Sequence, residues 1–164
     1  MTTSTNIDAY EPKSGIIPFS IKKVKREELL ELVSIALKED EDLINKYHFQ
    51  DSNTEEMILN NLKNIDELAQ TKEVKLYGIY TNDTAIGFTV ISEKLLYSFG
   101  INVYCRQSAI VLEWLKWLKE IVFKEGFMVC LYKENTRAIN FFLRNGLEEF
   151  SEEEKVIYLF NRKN

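Results

Sequence analysis

The order of sequence patterns predicts an α+β domain built on one mixed, mostly antiparallel sheet flanked by helices. Three observations carry this. Residues 74–104 hold three β-rich runs in succession, which pair as a meander when short turns join them. A long amphipathic stretch over 107–125 is then followed by the nearly all-apolar run 127–132, the pattern of a helix feeding a strand buried on both faces. Helical spacing also dominates 27–70, so the elements do not alternate as they do in a doubly wound sheet.

Residues 1–15 read as a flexible leader rich in Thr, Ser and Asn, and residues 16–164 as one domain. The segment 16–24 predicts a first strand, with Pro18 placing it at an edge or a strand start. Over 27–38 the apolar residues Leu29, Leu32, Val33, Ala36 and Leu37 share one helical face. Ser52 and Glu55 fit a capping box ahead of a second helix that carries Ile58, Leu62, Ile65 and Ala69 and ends near Gln70. Asn82 and Asp83 mark the turn of a hairpin between 74–81 and 85–92, and 95–104 supplies the next strand. The helix over 107–125 carries Ile110, Val111, Trp114, Leu115, Leu118, Ile121 and Val122, and Gly126 stops it. A short helix over 135–144 closes at Asn145 and Gly146. Strands at 147–150 and 156–160 form a last hairpin around an acidic turn. The predicted order is β-α-α-β-β-β-α-β-α-β-β.

Composition narrows the function. The 164 residues are 45% hydrophobic and 29% charged, which fits a globular core and excludes a disordered chain. With 21 basic against 26 acidic residues and no basic run, nucleic acid is not an expected partner. No apolar stretch reaches the ~20 residues of a membrane helix, so no membrane partner is expected either. The two cysteines, Cys105 and Cys130, form no metal-binding spacing and read as small buried hydrophobes in a reducing cytoplasm. His48, the lone histidine, reads as structural or solvated rather than as a base. Trp114 and Trp117 read as packing, and the acidic stretches 39–42 and 148–154 as solvated surface.

The segment from Asn135 to Leu147, NTRAINFFLRNGL, resembles the N-x-x-A-x-x-[FL]-Y-x-x-x-G-F segment of the GNAT superfamily of N-acetyltransferases. Asn135, Ala138, Phe141 and Gly146 fall at matching positions, with Leu147 for the usual Phe. The element order over residues 17–160 is also similar to that fold. The resemblance implies acetyl-CoA as cofactor, an amine as acceptor (a small molecule or a protein), and direct transfer without a covalent enzyme intermediate. A homodimer stays open as an assembly.

The resemblance also implies site residues. Pantetheine would insert like a strand against the backbone near Ile101 and Val103. The family's R/Q-x-x-G-x-G/A loop corresponds to Arg106, Gln107, Ser108, Ala109, Ile110 and Val111, whose helix-terminal amides would hold the diphosphate. Both glycine positions are substituted here, by Ala109 and Val111. Asn135 reads as a helix cap, a cofactor contact, or both. Phe142 stands where the family usually has a Tyr that protonates the departing thiolate. A phenyl ring cannot donate that proton, so Tyr132 is the candidate donor, with Tyr97 and Ser98 as neighbours. The three substitutions also motivate a rival reading: a GNAT-fold protein that has lost turnover and serves as a binding or structural component.

Overall fold

The computed structural model describes residues 9–12, 18–40 and 53–162. Its centre is an open eight-stranded sheet in the order β1-β2-β3-β4-β5-β6-β8-β7. The strands are β1 (Ala9–Tyr10), β2 (Ser20–Lys23), β3 (Lys75–Thr81), β4 (Thr84–Ser92), β5 (Leu95–Ile101), β6 (Gly126–Tyr132), β7 (Glu148–Glu152) and β8 (Val156–Arg162). Among the described residues only β5 and β6 run parallel; every other pair is antiparallel.

The helices are α1 (Leu29–Leu37), α2 (Thr54–Ala69), α3 (Ser108–Trp117) and α4 (Thr136–Arg144). They cover the two faces of the sheet with two separate apolar clusters. On one face α1 and α2 bury Leu29, Leu32, Val33, Ala36, Leu37, Met57, Ile58, Leu62 and Ile65 against Phe88 and Val90. On the other, Trp114, Leu115, Trp117, Leu118 and Phe142 pack onto Ile79, Leu96, Val129 and Leu159. The edge of the Tyr77 ring meets Trp117 at 4.9 Å between centroids, and the Trp114 indole donates to Thr89 Oγ1 at 2.9 Å.

Several boundaries move from the sequence reading for local reasons. Ala9–Tyr10, within the stretch read as leader, pairs with β2. Asn53 caps α2, its side chain accepting from the Glu56 amide at 2.8 Å; Ser52, read as the capping hydroxyl, lies outside the described residues, as do His48, Ile16, Ile17, Glu41 and Asp42. Ala69 is exposed, and Met57 takes the core position not anticipated. Asn82 and Asp83 both take positive φ (49° and 63°), the left-handed pair that a two-residue hairpin requires. The strand expected over 95–104 stops at Ile101, because the Asn102 side chain accepts from the Tyr104 amide and turns the chain into a 3-10 segment, Val103–Cys105. Beyond Trp117 the helix widens into a π turn, Leu118–Val122, which adds a residue and keeps Ile121 and Val122 against the core. Gly126, at φ 96°, then redirects the chain into β6.

Among the described residues no helix is long and apolar enough to cross a membrane, and no cluster of His, Cys, Asp and Glu could hold a metal.

Candidate functional site

The parallel ladder between β5 and β6 holds only two pairs, Leu95 with Met128 and Leu96 with Val129. Past them the strands separate. The cause lies on the other edge of β5, where Val90 pairs with Ser98 and Ile91 with Leu96, leaving Tyr97 as an inserted residue. Such a bulge bends its strand and increases its twist. It also breaks the alternation of faces. Tyr97 packs on the α1/α2 side, and Ser98, on that side too, lies 3.1 Å from Asn61 Nδ2 of α2. Phe99 returns to the opposite face against Trp114 and Phe142.

Both strands are then held apart at their far ends. The Asn102 side chain donates to Ile35 O of α1 at 2.8 Å, and its amide donates to Ile86 O at 2.7 Å. β6 stays paired with β8 along its whole length. Two strand edges therefore face each other without a ladder between them, a place where an extended ligand can add as a strand.

A cavity of about 930 Å3 occupies this cleft and reaches both faces of the sheet. Its wall on one side is α2, with Met57, Asn60, Asn61, Lys63, Asn64 and Glu67; on the other it is α4 with the start of α3. Among the described residues four cations line it, Lys63, Arg106, Arg137 and Arg144, against one carboxylate, Glu67. The whole chain carries a net charge of −5, so the cavity is cationic against the protein's own balance. A low-dielectric cleft concentrates that field on an anion.

Of the residues singled out in the sequence, Ile101, Arg106, Val111, Tyr132, Asn135 and Phe142 line the cavity. Val103, Gln107, Ala109 and Ile110 do not. Ile110 turns into the core at 7% exposure, while Gln107 and Ala109 are exposed at the helix start. The Gln107 side chain makes no capping hydrogen bond to the first turn of α3, whose opening amides have no carbonyl one turn earlier to bond. Ala109 and Val111 both sit within this helix, and neither is among the residues with positive φ. The substituted glycines therefore cost no backbone strain; what remains is the bulk of Val111 in the cavity wall.

Asp40 corrects the reading of 39–42 as solvated surface. It is 2% exposed, and its Oδ2 accepts from Arg106 at 2.5 Å and from Arg137 at 3.0 Å. Arg106 Nε also donates to Ile101 O at 2.9 Å. One buried carboxylate thus joins the end of α1 to the loop before α3 and to the first turn of α4. Asn135 caps α4 by accepting from the Ala138 amide at 3.2 Å.

Phe142 is fully buried, with the rings of Phe141, Phe99 and Trp114 at centroid distances of 5.2, 5.7 and 6.2 Å. Tyr97 and Tyr132 line the two walls of the cleft. Burial, with smaller contributions from Tyr132, Cys130 and Glu67, pushes the Tyr97 phenol above its ordinary value, so it stays protonated through the neutral range. Burial likewise raises the Cys130 thiol, which a hydrogen bond with Tyr158 only partly offsets. A raised thiol is a poor nucleophile at neutral pH. Glu67, Asn60 and Asn64 were missed in the sequence; their only signal is a recurrence at three and four residues on one side of a helix.

No family model and no curated protein sequence matches the chain. Solved structures do. The PaiA N-acetyltransferase of Thermoplasma acidophilum, in complex with coenzyme A, is similar over 88% of this chain and 98% of its own, at a TM-score of 0.65 and 16% identity. FdhC, a nucleotide-linked sugar GNAT, aligns over 89% of this chain and 87% of its own, with a TM-score of 0.60 and 16% identity. The spermidine N-acetyltransferase of Vibrio cholerae, in complex with coenzyme A and spermine, covers 89% and 96% at 0.56 and 12%. With the order of its strands and helices, the split between β5 and β6 and these likenesses together, the chain has the fold of the GNAT N-acetyltransferases.

Proposed function

We propose that the chain is an acetyl-CoA-dependent N-acetyltransferase acting on an amine. The separation of β5 from β6 beyond Leu96 and Val129 carries this reading. Coenzyme A is an extended amide chain ending in phosphates. Facing strand edges suit the amides, and the cationic wall with the open turn of α3 suits the phosphates. Structural neighbours that hold coenzyme A in this fold support the same assignment.

Bound acetyl-CoA supplies an acyl thioester, whose carbonyl carbon accepts an amine and whose sulfur leaves as thiolate. The chain's residues divide the rest of the work. Glu67 holds the acceptor's ammonium and takes its proton. The Tyr97 and Tyr132 hydroxyls offer a proton from opposite walls, replacing the hydroxyl that Phe142 lacks. An alkyl thiol titrates near pH 8.5, so this help is worth on the order of 10²–10⁴-fold rather than being obligatory. Arg106 and Arg137, steadied by Asp40, keep the phosphate end of the cleft positive. The free cysteines fit a reducing compartment such as the cytoplasm.

A second reading, binding without turnover, is favoured by Phe142 alone, sealed among rings with no hydroxyl to offer. Two measurements separate the readings. Acetyl-CoA at 100 times its dissociation constant stabilises by about 2.7 kcal/mol and raises the melting temperature under either one. Release of free thiol in the presence of amines occurs only under the first. Neither a shift nor thiol release at millimolar acetyl-CoA overturns both.

A further inference from the structure

We infer that the acceptor is a single primary amine carried on a neutral, hydroxyl-rich scaffold, of amino-sugar type, read by the side of α2 that borders the cleft. The inference rests on the acetyltransferase reading and adds the chemical class of its acceptor.

Met57, Asn60, Asn61, Asn64 and Glu67 recur at three- and four-residue steps, so they form one stripe of α2, and all five line the cavity. Lys63, on the same helix, also lines the cavity, while the three arginines lie across the sheet, in the loop before α3 and on α4. Three of the five are carboxamides. Each offers an accepting oxygen and two N–H donors, which together match a hydroxyl group that both gives and takes a hydrogen bond. Ser98 steadies one of them, its Oγ lying 3.1 Å from Asn61 Nδ2 and 3.3 Å from Oδ1.

Glu67 follows Asn64 by three residues, and its charge is felt at Tyr97 on the cleft wall. It is the one carboxylate lining the cavity among the described residues, which suits one ammonium. A polyamine would bring further positive charges toward Lys63, Arg137 and Arg144 with no second carboxylate to receive them. A hydrocarbon amine would strip water from the carboxamides without replacing its hydrogen bonds. A neutral polyol bearing one amine meets neither objection.

The test measures thiol release from acetyl-CoA by the full chain with glucosamine, spermidine and benzylamine at equal concentrations. We expect kcat/KM for glucosamine at least tenfold above either rival. Asn64→Ala, an exposed helical change, is expected to raise the glucosamine KM about fivefold or more while leaving the acetyl-CoA KM within about twofold. Preference for spermidine or benzylamine, no turnover of any of the three, or an unchanged glucosamine KM in Asn64→Ala overturns the inference. Thiol release with the two rival amines, read beside a melting shift with coenzyme A, tells the failures apart. If either rival releases thiol, only the acceptor class is wrong; if none of the three amines does, the acetyltransferase reading falls as well, and a persisting shift then leaves binding without turnover.

Discussion

Leu96 pairs with Val129 as the last rung between β5 and β6, and the next residue, Tyr97, is an insertion opposite β4. The two facts are one device. A strand that gains a residue on one edge bends away from its neighbour on the other, so the cleft is built into the backbone rather than carved by side chains. The bulge also turns both Tyr97 and Ser98 toward α2, which puts a phenol and a hydroxyl on the acceptor side together.

Deleting Tyr97 tests this directly. Removal of the inserted residue restores regular alternation, with Leu96 and Phe99 keeping their faces and Ser98 keeping its own, so the core is expected to survive. The ladder to β6 then extends toward Tyr132. Hydrogen-exchange protection should rise at Cys130 and Tyr132, and the melting shift with coenzyme A should fall to near zero. Unchanged exchange with a normal shift would show that the bulge does not hold the cleft open.

Much of this fold was legible because the helices repeat their apolar residues cleanly. The five buried positions of α1 are the five that its spacing names, and Asn82 and Asp83 mark the turn that their left-handed backbone makes. The bulge was not legible. Residues 95–101 are apolar on both faces, so a period of two cannot reveal where one residue is extra. Asp40 was misread for another reason. Its partners lie 66 and 97 residues away, and an acidic run in isolation looks solvated. The α2 stripe carries a methionine, three asparagines and one glutamate, residues with no motif until the sheet sets a cavity beside them.

Asp40→Ala removes the shared acceptor of Arg106 and Arg137. The Asp40 side chain is 1% exposed, while those of the two arginines keep 21% and 37%. Losing one partner of a fully buried pair costs about 3–5 kcal/mol. Because both guanidiniums still touch water, about 2–3 kcal/mol is expected here. Urea unfolding of the variant measures it, and a loss under 1 kcal/mol would show that the three groups are merely neighbours.

Val111→Gly separates affinity from stability. Glycine in a helix costs about 1 kcal/mol relative to alanine, so the variant should unfold at lower urea. It also clears the cavity wall at the start of α3, so coenzyme A should bind several-fold more tightly. Ala109→Gly is the comparison. Ala109 is exposed and does not line the cavity, so its loss should change affinity little. Calorimetric titration of both variants reads the difference, and equal effects would refute a steric role for Val111.

Tyr10 ties the edge strand to α3, donating its hydroxyl to Glu113 Oε2 at 3.1 Å. Burial first, then the charge of Glu113 and that hydrogen bond, push the phenol from about 10 up to about 12. Below pH 10 the proton is present in folded and unfolded chains alike, and the contribution of the bond is complete. Between about pH 10 and pH 12 the unfolded chain releases the proton and the folded chain keeps it. Unfolding then sheds a proton, so stability must fall as pH rises through this window. Tyr80, Tyr97 and Tyr158 are also raised by burial, so wild-type loss alone does not single out Tyr10. Tyr10→Phe does. At pH 7 it should lower stability by about 1 kcal/mol through the lost bond. Between pH 10 and pH 12 it should lose less than wild type, so the two urea midpoints converge. Midpoints that stay parallel across that window would mean that the phenol titrates alike in both states and that Glu113 does not hold it.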